Sequence, residues 1–252
     1  MSTAAAVAAG LILAATAPGA GVPRIAPPEP QPELTGDIKA DFSSEYIWRG
    51  EEFNSEAVFL PSVRLNENGI ELAALGVLDL TDSNDLKGDF SQWIFRGGLA
   101  KISQEVSFGL FYNYYYYPEH NRPKTQEVSL EMQWGYPAFF GLDVYWDFDY
   151  AEGLYGKASL GYTLDLDPVM IEPRIAAGAA SGNYLNAYYG VDKDSFCDMD
   201  CSLAAEINVA GGFTLLGKIS YYQLLTSDLR DAARAGREGD YWWYQGGAIL
   251  IF

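Results

Sequence analysis

Positive charge, histidine and cysteine are all scarce in this chain of 252 residues. It holds 16 Lys and Arg against 34 Asp and Glu, one His and two Cys. A net charge of −18 excludes a nucleic-acid binder, which needs a basic face to neutralise phosphates. The one histidine, His120 in "PEHNRP", has no serine close by in sequence, so a Ser–His hydrolase has little to be built from. Long apolar runs are missing as well. The longest, Ala4 to Ala17, is too short for a membrane-spanning helix, which takes about 20 residues. Beyond Asp37, helical spacing is almost absent.

What is present reads from the N-terminus as an export signal. "AAAVAAGLILAATA" fits the apolar core of a secretory leader, and the small residues of "APGAG" place cleavage near Ala17 to Gly21, although "MST" lacks the usual basic residue. Residues 1–20 are therefore expected to be a signal peptide of a Gram-negative bacterium. Residues 21–36 carry five prolines from Val22 to Gly36, which remove backbone donors and fix φ. They read as an extended periplasmic linker, with ordered structure from Asp37 to Phe252.

From Asp37 the apolar period is two. In "QEVSLEMQW" Val128, Leu130, Met132 and Trp134 alternate with Glu127, Ser129, Glu131 and Gln133. In "FFGLDVYWDFDY" Phe140, Leu142, Val144, Trp146, Phe148 and Tyr150 form the apolar row. Such rows mark strands with two different environments. About twelve segments follow this rule, near 37–49, 57–65, 69–80, 90–99, 105–117, 126–135, 139–150, 153–163, 169–180, 202–209, 212–225 and 240–252. Tight turns at Asn66–Gly69, Tyr136–Ala138, Asp165–Pro168 and Ala210–Gly212 alternate with longer connections around 81–89, 118–125, 181–201 and 226–239. Short turns on one rim and long loops on the other predict an all-β, antiparallel up-and-down transmembrane barrel in the bacterial outer membrane.

A soluble barrel of this strand number would have a wide interior to fill. Aromatic positions favour lipid instead. Trp48, Trp93, Tyr114, Tyr116, Trp146, Tyr150, Tyr221 and Trp242 gather toward the long-loop ends, and Trp134, Phe140, Tyr162 and Phe252 toward the short-turn ends. Leu110, Leu130, Leu142, Val144, Leu160 and Ala248 lie between. Two aromatic girdles around an aliphatic band suit the lipid-facing wall of a barrel. The uncharged closing run "YWWYQGGAILIF" puts Tyr244, Leu250 and Phe252 on that face, and a terminal Phe after alternating apolar residues resembles the C-terminal signal read by the barrel-assembly machinery.

"SSEYIWRGEEFNSEAVFLPSV", Ser43 to Val63, resembles the opening hairpin of the TorF-like porins, a proteobacterial family of outer-membrane proteins of unknown function. Ser44, Glu45, Tyr46, Trp48, Arg49, Gly50 and Pro61 carry the resemblance, with Glu45 in place of Asp and Ile47 intervening; it is clearest to Asp82. It implies location and architecture rather than a substrate.

The polar rows then line a lumen. Among them Arg49, Arg64, Arg96, Lys157, Arg174 and Lys218 stand against Glu127, Glu131, Asp143, Asp147, Asp149 and other carboxylates, with acid in surplus. Charges in such an interior are either paired or wet. A wet lumen is expected to pass small solutes or ions with slight cation preference, as charged rings do; a paired one is a structural, closed barrel. An outer-membrane hydrolase is the remote reading. Cys197 and Cys201, in the stretch read as a surface loop, are expected to form a disulfide, with free thiols as the rival. Asp192, Asp194, Asp198 and Asp200 crowd the same stretch without the spacing or glycine of a calcium loop, so no metal or other cofactor is expected. Outer-membrane lipid and lipopolysaccharide are the expected surroundings, and the outer rows show no interruption that marks an oligomer face.

Overall fold

A computed structural model describes residues 34–82, 86–103, 105–118, 122–233 and 240–252. Residues 1–20, nearly all of the proline-rich stretch and His120 lie outside these. In chain order the elements are β1 (Leu34–Ser43), β2 (Tyr46–Trp48), β3 (Glu51–Asn54), β4 (Val58–Glu67), β5 (Ile70–Asp79), β6 (Phe90–Ile102) and β7 (Val106–Tyr116). They continue with β8 (Thr125–Trp134), β9 (Ala138–Asp147), β10 (Gly153–Tyr162), β11 (Leu164–Asp165), β12 (Val169–Ala180), α1 (Gly182–Tyr189), β13 (Ser195–Ala210), β14 (Phe213–Leu224), α2 (Ser227–Ala233) and β15 (Asp240–Ile251).

Twelve of these strands, all but β2, β3 and β11, pair antiparallel with their sequence neighbours and close into a barrel through β1–β15 and β10–β12. Closure leaves no unpaired edge, which a lipid-facing sheet cannot tolerate. The last residue takes part: Gly36 N–H donates to Phe252 O at 2.8 Å and Phe252 N–H donates to Gly36 O at 2.9 Å. β1 begins at Leu34, three residues ahead of the expected Asp37, because Leu34, Thr35 and Gly36 find partners in Glu67, Asn66 and Leu65.

The short turns follow from their residues. Asn68 (φ 52°) with Gly69 (φ 86°), and Gly211 (φ 59°) with Gly212 (φ 80°), are two-residue connections with both positions left-handed, the geometry that matches strand twist. Alternation holds along the wall. Leu72 and Leu160 are each 59% exposed on the outside, while Glu71, Glu127 and Asp147 are almost wholly buried inside. Tyr116, Trp146, Tyr150 and Trp242 stand exposed toward the long-loop rim and Trp134, Phe140, Tyr162 and Phe252 toward the other.

The long-loop rim departs from expectation in three places. β1 ends at Ser43, and the following hairpin β2–β3 forms a separate two-stranded sheet inside the barrel. Trp48, expected in the outer girdle, is there 1% exposed. The expected loop 181–201 contains α1, and β13 starts at Ser195, seven residues before the expected 202. The stretch 226–239 contains α2.

Candidate functional site: a plugged lumen

The hairpin β2–β3 and the helix α1 meet in the long-loop half of the lumen. α1 is set by its ends: Ser181 Oγ accepts from Tyr184 N–H at 3.5 Å, and Gly190 closes the helix at φ 71°. At the hairpin tip Arg49 itself has φ 47°, and Gly50 has φ 92°. Gly50 at φ 92° holds a backbone that side chains rarely adopt, and a Cβ there would also meet the hydroxyls of Tyr189 and Tyr222 at 2.5 Å, so the tip favours glycine.

Arg49 organises the plug. Its Nη1 and Nη2 donate to Glu127 Oε1 and Oε2 on β8 at 2.5 and 2.7 Å, and Nη2 also reaches Tyr115 Oη at 3.0 Å. The guanidinium lies 3.8 Å over the ring of Tyr145 and 4.8 Å over that of Trp48. A planar fork that pairs bidentately and stacks at once is a role lysine cannot fill. From Trp48 an aromatic run passes through Tyr188 (5.2 Å between centroids) to Tyr184 (4.6 Å) and Tyr155 (5.7 Å). Tyr188 Oη donates to Asp147 Oδ2 at 2.9 Å, tying α1 to β9. Burial first, with nearby acidic groups adding to it, pushes the Tyr188 and Tyr189 hydroxyls well above the usual phenol range, so both remain donors.

A second contact sits nearer the rim. Arg122, in the β7–β8 connection, pairs with Glu51 of β3 and lies over Phe53, Tyr117 and Tyr188 at 5.2, 5.5 and 5.3 Å. Burial opposes the charge on Arg122, yet Glu51 beside it more than offsets this and holds the guanidinium pKa above its ordinary value.

Toward the short-turn rim the lumen is polar and cross-linked by charge. Arg64 pairs with Asp37, Arg96 with Glu131, Lys39 with Asp41 at 2.6 Å and Lys157 with Asp200 at 2.9 Å. Arg174 Nη2 donates to Ser159 Oγ at 2.8 Å, Lys218 Nζ lies 4.6 Å over Trp243, and Asp143 faces Lys157 across the β9–β10 ladder. Ten of the eleven residues read as lumen-lining thus point inward. Asp149 does not. β9 ends at Asp147 and alternation ends with it, leaving Asp149 exposed and accepting from Gln126 Nε2 at 2.8 Å.

The cysteines also correct the sequence reading: both thiols are free. They lie in β13 rather than a loop, four residues and so roughly 13 Å apart along an extended strand, beyond disulfide reach. The register of β13 with β12 shifts at Gly178/Ala179, opposite Cys197, which turns inward and donates to Asp198 Oδ2 at 3.1 Å. Cys201 lies in an outer groove with Leu160, Ile175 and Leu203. Tyr244, Leu250 and Phe252 lie exposed on the outer face of β15.

α1 carries a signal that the period of two passes over. "SGNYLNAYYG" has a serine cap, eight residues and a terminal glycine, which is a helix signature.

A lipid-facing wall, two girdles and a polar interior define an outer-membrane β-barrel of porin-like build. The family model of MltA-interacting protein MipA matches residues 35–232, and the chain belongs to that family. The TorF-like likeness of Ser43 to Asp82 remains a resemblance, and the residues that carry it are largely those of the plug. Similar solved structures include the NanC porin (11% identity, 85% of this chain and 98% of that one, TM-score 0.53) and the KdgM porin in complex with disordered oligogalacturonate (8%, 86% and 99%, 0.50). An outer membrane channel from Pseudomonas putida F1 is similar too (12%, 91% and 100%, 0.50). At such identities the likeness concerns the fold alone. No curated protein matches the chain by sequence.

Proposed function

We propose that this protein is a non-enzymatic outer-membrane barrel, closed in its resting state, that works from its periplasmic, short-turn side by holding a partner there. The observation that carries the closed reading is the plug, in which Trp48, Tyr184 and Leu185 are each at most 1% exposed at the centre of a twelve-strand barrel. The partner reading draws on the family description, which names a protein that interacts with MltA. The test is a binding measurement between the barrel in lipid nanodiscs and MltA. Saturable binding at the short-turn side supports the reading; no binding to correctly folded barrel overturns it.

Passive diffusion of small solutes or ions, with slight cation preference, is the second reading. It is favoured by the porin-like fold and by the carboxylates Glu71, Asp143, Glu172 and Glu206, which face the lower lumen. It requires the hairpin part of the plug to leave the lumen.

A further inference from the structure

We infer that the hairpin β2–β3 is a hinged gate, latched by Arg49 on Glu127, and that its withdrawal opens the long-loop mouth to small cations. This goes beyond partner holding and does not rest on it.

Three observations carry the inference. First, the wall is complete without the hairpin: β1 pairs β4 up to Ser43 and Val58, and all twelve wall strands find both neighbours without β2 or β3. Second, the same residues fit a second arrangement. Continued upward, the β1–β4 register would set Tyr46 against Ser55, whereas in the plug Tyr46 pairs with Asn54 and Ile47 with Glu52 across an irregularity. A one-residue slip reverses the faces of a strand. In the straight register Tyr46 and Trp48 continue the outer row of Ile38, Ala40 and Phe42, which places Trp48 among the girdle aromatics. Two packings of one segment, each with a place for its aromatics, make a two-state element.

Third, the folded-in state leaves polar groups unmet. Tyr46 Oη, Trp48 Nε1, Arg49 Nε and Asn54 Nδ2 are buried without a hydrogen-bond partner, although their residues are at most 4% exposed. Each such group disfavours the closed state and is satisfied by water once the hairpin leaves. Closure then depends strongly on the Arg49–Glu127 pair, because a buried guanidinium without its carboxylate is strongly disfavoured. Withdrawal leaves Glu127, freed of Arg49, facing the open mouth among tyrosines, a lining that favours cations.

Planar-bilayer recording of Glu127→Gln tests this, in a chain with Cys197→Ser, Cys201→Ser, Glu51→Cys and Arg122→Cys. The introduced cysteines replace the long Glu51–Arg122 pair, so a bifunctional methanethiosulfonate reagent, which forms a disulfide with each thiol, is used to tie β3 to the β7–β8 connection. Before cross-linking, the protein is expected to spend on the order of a hundredfold more time open than the same cysteine background with Glu127 kept, because its buried Arg49 has lost its partner. Cross-linking should restore silence, and reduction should reverse it. Gly50→Ala, which unseats the tip without changing a charge, should open the barrel in the same cysteine background. Heat-modifiable gel mobility reports whether each variant is folded. Folded Glu127→Gln and Gly50→Ala proteins that are both silent would overturn the gate while leaving the closed barrel intact. Current that persists through the cross-link would overturn it too. MltA binding is read separately and decides only the partner reading.

Discussion

Arg49 shows how far one residue can differ from its pattern. In sequence it belongs to a polar row of the first strand, and it does face the interior, but from a hairpin folded into the lumen rather than from the wall. Glu45 sits at the neck of that hairpin, in the connection outside the wall strands. Burial, with Glu52 adding to it, raises its carboxyl from the ordinary 4.5 to about 7. Because the folded value lies above the unfolded one, the folded-in hairpin is stabilised fully below about pH 4.5, and that contribution is lost as pH rises through about 7. Hydrogen exchange over Tyr46–Asn54 should therefore be slower at pH 5 than at pH 8 after correction for intrinsic rates, and Glu45→Gln should flatten the difference. Equal protection at both pH values in the native chain would contradict this. The cysteines give a simpler check at the same scale. Alkylation in denaturant without reductant should add two labels per chain by intact mass; none would mean that the thiols are joined.

At the scale of elements, the wall was legible because lipid imposes a period of two that no other environment of this width reproduces. Leu72, Leu110 and Leu160 face outward as their rows require, and the Asn-Gly and Gly-Gly turns fall where the residues demand left-handed backbone. The plug was not legible by the same rule. Tyr46 and Trp48 keep the period of β1, so alternation alone assigns them to the outer girdle; only the register slip between Tyr46 and Ile47 turns them inward. A slip lies in pairing, and one strand read by itself does not contain it. β13 departs from its pattern for a related reason: the irregularity at Gly178/Ala179 breaks the parity around Cys197, so the acidic run Asp198–Asp200 reads as a loop although both aspartates face the lumen. Asp149 erred the other way, by extending alternation two residues past the end of β9.

For the whole molecule, width governs the outcome. Twelve strands enclose more space than wall side chains alone fill. The two halves meet this differently, the upper with a folded-in hairpin and helix, the lower with paired charges from Arg64–Asp37 to Lys157–Asp200. Length, charge and periodicity disclosed a wide barrel with an acidic interior, and the choice between an open and a closed lumen stayed undecided until the loops were placed. Conductance decides it most directly. The native chain in a planar bilayer should be silent, and a chain in which Ser44–Ala57 is replaced by Asn-Gly, joining Ser43 to Val58 by a two-residue turn, should give discrete cation-preferring steps. Steps of equal size and frequency from both proteins would contradict the closed barrel.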